Sequence, residues 1–273
     1  MTASFKTAFL RGTLPLAFVP VLVLVLALLG ACASPKSAKS VLEPAADKAP
    51  QHGSALVASP WAVASLAAPG ATDWRHYRLP GKKPSEFSYQ LLDGRAAMSA
   101  AANGSASMLR RVVRVEPDQL GQLNFSWKLP DLIEYADLAD REFDDSPVRI
   151  VLAFDGDRSK FSAKNAMLSE LAQLLTGDAL PYATLMYVWC NLCPPGTVIE
   201  NPRTDRIRKL PLESGPAKLN RWLYYERDVK RDFEQAFGEA PGALTSISIM
   251  TDTDNTKSTA KAYYGLLKLT SKP

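Results

Sequence analysis

The chain has 273 residues, with 32 Lys and Arg against 28 Asp and Glu, and is 47% hydrophobic and 22% charged. These are ordinary globular values, and they exclude a wholly disordered, collagen-like or multi-span membrane protein. Three Cys and two His exclude a disulfide-dense mini-scaffold, a four-Cys zinc site and a His-rich metal centre.

Met1 to Thr13 carries Lys6 and Arg11 and no acid, and Leu14 to Ala31 is unbroken apolar. A basic start, an apolar core and small residues at its end predict a secretory leader. The run closes on Leu29-Gly30-Ala31-Cys32, which resembles the lipobox of bacterial lipoproteins. That resemblance implies cleavage before Cys32, acylation (palmitate among the chains) of the Cys32 amino terminus, and anchoring in a lipid bilayer. Ala33, rather than Asp, follows Cys32 and implies the outer membrane, with the protein facing the periplasm. An uncleaved transmembrane helix is the alternative, but Pro15 and Pro20 interrupt a run already short for spanning. Loss of Lys6 and Arg11 lowers the net charge from +4 to +2. No sustained Lys/Arg cluster then remains to suggest a nucleic-acid partner.

Residues 32–70 are rich in Ala, Pro and Ser and predict a flexible tether, with Val57 to Leu66 able to dock as a stray strand or short helix. Residues 71–273 predict a single domain. Asp93-Gly94 lies between Phe87–Leu92 and Arg95–Ala101 and signals a hairpin. Period-two alternation continues in Leu123–Leu129, Val148–Phe154, Leu185–Trp189 and Ile247–Thr251, and a last run spans Ala260 to Leu269. Two helices interrupt the strands. The first, over 163–176, places Met167, Leu168, Leu171, Leu174 and Leu175 on one face, with Ser162 as N-cap and Gly177 at its end. The second, over 228–237, closes on Gly238. Two helices among about ten strands predict an all-β, antiparallel β-sandwich with two helical connections; a parallel sheet needs a helix after nearly every strand.

Several phrases then stand in order: Phe125-Ser-Trp-Lys128, Phe143-Asp-Asp145, Tyr187-Val-Trp189, Asn201-Pro-Arg-Thr204, Phe237-Gly-Glu-Ala-Pro241, Met250-Thr-Asp-Thr-Asp-Asn-Thr256 and Ala262-Tyr-Tyr-Gly265. Together they resemble the bacterial family known as domain of unknown function 3047, over about Trp74 to Leu269. The family implies no activity. Its pattern resembles galactose-binding-like and carbohydrate-binding jelly rolls, which implies a jelly-roll-like fold and an envelope glycan or other polar polymer as partner.

Asp252, Asp254 and Asn255 offer oxygen ligands on one turn, suited to Ca²⁺, although the twelve-residue EF-hand loop is absent; an Asx-turn is the alternative. Asp144 and Asp145 are adjacent, point to opposite sides of an extended chain, and cannot form an acid/base pair alone. A carboxylate-dependent hydrolase or lyase would need Asp145 to face Asp252 or Glu226 across a cleft. Arg206 and Arg208 alternate on one face and suit carboxylate, phosphate or sugar hydroxyls, or else a structural ion network. Trp189 ends a strand and is the chosen binding aromatic among Trp127, Trp189, Trp222, Tyr224, Tyr263 and Tyr264. Cys190 and Cys193, in an oxidising compartment, predict a local disulfide. No nucleophile elbow, P-loop or dinucleotide motif is present, so a non-enzymatic binding module is the leading expectation and a structural envelope component a further one.

Overall fold

A computed structural model describes residues 55–58 and 74–272. The leader, Cys32 and all of the expected tether except Ala55–Ala58 lie outside the described residues. The chain order is β1 (Ala55–Ala58), β2 (Trp74–Arg78), β3 (Glu86–Leu92), β4 (Arg95–Asn103), β5 (Ala106–Val115), β6 (Leu120–Lys128) and β7 (Ser146–Phe154). Helix α1 (Ala163–Thr176) follows, then β8 (Ala183–Cys190), β9 (Ile199–Asn201), β10 (Thr204–Ser214) and β11 (Trp222–Asp228). Helix α2 (Val229–Phe237), β12 (Leu244–Asp252) and β13 (Thr259–Ser271) complete it.

The strands form two sheets packed face to face, a jelly-roll-like β-sandwich. The six-stranded sheet runs β11-β6-β13-β4-β3, with β1 added antiparallel to the end of β13. The seven-stranded sheet runs β2-β5-β12-β7-β8-β10-β9. One pair departs from the antiparallel expectation: β10 lies parallel to β8, because the chain returns through the short β9 before pairing. Asp93 and Gly94 both take positive φ, as a two-residue hairpin turn requires, and join β3 to β4.

Alternation decides the core. Val148, Ile150, Leu152 and Phe154 of β7 face inward with Leu185, Tyr187 and Trp189 of β8 and Ile247 and Ile249 of β12. From the other sheet come Phe125 and Trp127, with the Phe125 ring 5.5 Å from that of Tyr187. Tyr264 crosses the sandwich. Its hydroxyl donates to the Met250 carbonyl and accepts the Arg149 backbone N–H, which fixes the two sheets at one height.

The helices behave differently. α2 starts on Asp228, whose carboxylate accepts from the Arg231 N–H, and buries Val229, Phe233 and Ala236. Asp232 on α2 ties to Arg227 and accepts from the Tyr187 hydroxyl at 2.7 Å. α1 is capped by Ser162 and Gly177 as expected, yet its buried residues are Asn165 and Ser169. Asn165 bonds Asp205 and Thr204 at the start of β10, and Ser169 accepts from Arg158. The apolar stripe of α1 stays in water: Leu171 is 49%, Leu175 66% and Leu174 83% exposed. An amphipathic pattern normally turns its apolar face to the core; here polar bonds fix the helix the other way round.

Candidate functional site

Three features stand out on the sandwich. The first is an ion network at one end of the outer face of the seven-stranded sheet. Arg149 of β7, Lys209 of β10 and Asp252 of β12 point away from the core, but the loop before β7 covers that end and buries them. Arg149 lies 3.1 Å from Asp252 and 3.4 Å from Asp144. Lys209 lies 2.7 Å from Asp144 and donates to the Leu138 carbonyl at 2.6 Å. Asn201 donates to the second oxygen of Asp144. Asp145, adjacent, serves other partners: it accepts from Asn255 N–H at 3.1 Å, Thr256 N–H at 2.7 Å and the Thr256 hydroxyl at 2.6 Å. Asp254 pairs with Lys82.

Burial pushes the Asp252 carboxyl well above the usual carboxylate range, against the pull of Arg149. Burial, then repulsion from Arg149, lowers the Lys209 ammonium to about 8, and Asp144 offsets part of that. Asp254 is also penalised by burial, but its bond to Lys82 leaves it below its ordinary value.

The structure thus gathers Asp145, Asp252 and Asp254, with oxygens within 4.8 Å of one another. The side-chain amide of Asn255 points elsewhere, donating to the Arg141 carbonyl. Three oxygens so close suit a cation in donor type. Arg149 and Lys82 already occupy the cationic positions, and both Asp145 oxygens are taken by hydrogen bonds, so the donor set is committed internally. Asp145 and Asp252 are buried side by side rather than opposed across an open cleft, and Glu226 stands exposed on the other sheet.

The second feature is a trough of about 820 Å³ on the open part of the same outer face. Its floor is two rows that cross the strands. One is Arg110, Ser248, Val151 and Met186; the other is Val112, Ser246, Ala153, Thr184 and Ile207. Met108 and Met250 border the first row on the side of Arg149. Leu168, Leu171 and Leu175 of α1 form the opposite wall. Arg206 lines the far end, held by Glu239 at 3.1 Å and lying over the Tyr182 ring. Arg208 pairs with Glu200 at 3.0 Å and stacks with Arg206 on Phe237, outside the trough.

The third feature is an aromatic row on the outer face of the six-stranded sheet. Trp222, Lys128 and Tyr263 stand in register across β11, β6 and β13, and Tyr224 lies one row further along β11. Two strand steps separate the flanking aromatics by ~10 Å. The indole N–H of Trp222 and the Lys128 ammonium both donate to Asp93, at 3.1 and 2.7 Å. Gly265 lets the indole lie flat, since a Cβ there would come within 2.4 Å of Ser126 Oγ and 3.0 Å of the Trp222 ring. Arg95 lies over Tyr224, which is 46% exposed.

Trp189 belongs to none of these surfaces. It is buried in the core with its indole N–H on the Gly215 carbonyl, and its alternation with Leu185 and Tyr187 already places it inward. Cys190 and Cys193 are joined as a disulfide across the turn that follows β8. Sequence reasoning did not assign β11 as a strand, because Trp222, Leu223, Tyr224 and Tyr225 show no polar alternation.

No curated protein matches the chain. Among solved structures, the xyloglucanase domain of NopAA from Sinorhizobium fredii, in complex with cellobiose, aligns at TM-score 0.39 and 11% identity over 73% of this chain and 93% of that one. The xylan-binding module CBM86 from Roseburia intestinalis aligns at 0.27 and 13% over 73% and 96%. The mannan-recognising module TmCBM27 aligns at 0.28 and 10% over 74% and 90%. These scores are too low to carry an argument about function. The family model described as Protein of unknown function (DUF3047) matches residues 72–268, and the chain belongs to that family.

Proposed function

We propose that the protein is a non-enzymatic glycan-binding module held at the bacterial envelope. The observation that carries this reading is the cross-strand row Trp222–Lys128–Tyr263. Flat rings set about one disaccharide apart can stack on the apolar faces of successive sugars, while Lys128 and Asp93 offer a donor and an acceptor between them. The row is formed by rigid paired strands and needs no rearrangement to bind. The buried acids support binding over hydrolysis, since their oxygens are spent on Arg149, Lys209, Lys82 and backbone N–H groups.

The test is calorimetric titration of the full-length protein with β-1,4-linked oligosaccharides and peptidoglycan fragments, beside a Trp222→Ala/Tyr263→Ala variant. Binding that weakens about tenfold in the variant is expected, at ~1 kcal/mol or less per ring. No binding across the panel, or binding unchanged by the double substitution, overturns the reading. Envelope attachment rests on Leu29-Gly30-Ala31-Cys32. Labelled palmitate should enter the wild-type chain and not Cys32→Ala; equal labelling or equal membrane recovery of the two refutes the anchor.

A further inference from the structure

We propose that the trough on the seven-stranded sheet binds an unbranched long-chain fatty acid, its chain along the floor and its carboxylate at Arg110. The site is separate from the aromatic row and does not rest on the glycan reading.

Four observations lead there. The trough crosses β5, β12, β7, β8 and β10, a span of ~20 Å, which matches an extended acyl chain rather than a compact metabolite. Small residues, Ser246, Ser248 and Ala153, keep its floor low, and Met108, Met186 and Met250 flank it with side chains that adapt to an apolar guest. Leu171 and Leu175 of α1 line the opposite side while 49% and 66% exposed, so a chain lying beside them removes apolar surface from water on both partners. α1 is fixed through Asn165 and Ser169, which leaves that stripe free to face a guest.

The remaining lining chooses the class. Of the three rings at the trough, Tyr77 is faced by the Arg110 guanidinium at 3.8 Å, Phe161 by Tyr182 at 5.6 Å and 7°, and Phe154 is buried in the core. A sugar would find no open ring there. A peptide would bury amides against Val151, Ala153 and Ile207, where the sheet's own ladder already occupies the backbone groups; an acyl chain brings no such amides. Charge decides the head. Arg110, Arg158 and Arg206 line the trough against two carboxylates, Asp155 and Asp178. Arg110 meets Asp178 at 3.7 Å, beyond hydrogen-bond reach, and Asp178 is a largely exposed partner that a ligand carboxylate can replace.

The experiment titrates the full-length protein with hexadecanoate below its micelle concentration, following heat and melting temperature, with hexadecanol, octanoate and a β-1,4-linked oligosaccharide as comparisons. Hexadecanoate is expected to bind and raise the melting temperature, hexadecanol to bind more weakly, and octanoate more weakly still. Leu171→Glu/Leu175→Glu, at exposed positions, should melt like wild type without ligand and bind hexadecanoate roughly tenfold more weakly or worse. Arg110→Gln should remove the preference for the acid over the alcohol. Trp222→Ala/Tyr263→Ala should bind hexadecanoate as wild type does. Absence of hexadecanoate binding, equal binding by the leucine variant, or displacement of hexadecanoate by the oligosaccharide overturns the proposal. So does a dimer of the wild-type protein that the leucine variant dissolves, since a second copy would then cover this face.

Discussion

Lys209→Met tests whether the buried ion network is internal structure. Lys209 is fully buried, and its ammonium titrates at about 8 in the fold against 10.5 in water. Between those values the unfolded chain binds the proton and the folded chain does not, so stability rises with pH. The penalty of holding the ammonium in the fold is complete at pH 7. About 2.5 kcal/mol of it is relieved by pH 10, at ~1.4 kcal/mol for each pH unit between the two values. Tyr187 and Tyr264 are held above their ordinary value by burial and act in the opposite sense above pH 10, but they are common to both proteins and cancel in the difference. Urea unfolding of wild type and Lys209→Met at pH 7, 8, 9 and 10 gives that difference directly. The variant loses the bonds to Asp144 and the Leu138 carbonyl, so its absolute stability at pH 7 is a separate matter. The gap should move in favour of wild type by ~2.5 kcal/mol across the range. Parallel curves would show that the Lys209 ammonium is not penalised by burial, and the account of this cluster would fail.

Asp145→Ala should cost ~3–5 kcal/mol, because it removes a buried carboxylate that accepts three hydrogen bonds from Asn255 and Thr256. In thermal unfolding that is a fall of about 10 °C, and a fall below about 2 °C would deny that these bonds hold the turn after β12. Adding a chelator or millimolar Ca²⁺ should move the melting temperature by less than ~1 °C, because Arg149 and Lys82 already balance Asp252 and Asp254. A Ca²⁺-dependent rise of several degrees, lost in Asp145→Ala, would place the ion among these oxygens instead. Gly265→Ala should lift the Trp222 indole from the sheet, cost ~1–3 kcal/mol and abolish the Trp222 contribution to glycan affinity; glycan binding at wild-type strength would refute the seating of that ring.

Period two was enough to place β6, β7, β8 and β12, because each of these strands sets a long inward series against a smaller or more polar outer one, and the Asp93-Gly94 turn placed β3 and β4. β11 escaped because Trp222 and Tyr224 face outward while Leu223 and Tyr225 face inward, and hydrophobicity shows no contrast between the faces. The parallel pairing of β10 escaped because period two carries no strand direction. α1 shows the limit of the other period. Its 3.6-residue stripe is real, but Asn165 and Ser169 secure it by specific bonds that no hydrophobic count can weigh. Asp145, Asp252 and Asp254 were each legible as acids beside strands, but not their gathering at one place. What the sequence could not show was the covering loop, which turns outward positions such as Arg149 and Lys209 into buried ones and requires them to pair.

That covering loop also explains where the trough ends. Along β7 the outward series runs Ala153, Val151, Arg149, and along β12 it runs Ser246, Ser248, Met250, Asp252. The first members of each are small or apolar and lie in the open trough; the last are charged and lie under the loop. Arg149 touches both regions, donating to the Met186 sulfur on one side and to Asp144 on the other. A guanidinium in that position needs its carboxylates, or the end of the trough would carry an unbalanced buried charge. Asp252, which reads from sequence as one half of a candidate catalytic pair, is here a counter-charge of Arg149 together with Asp144. The two carboxylates let a charged residue close an apolar trough.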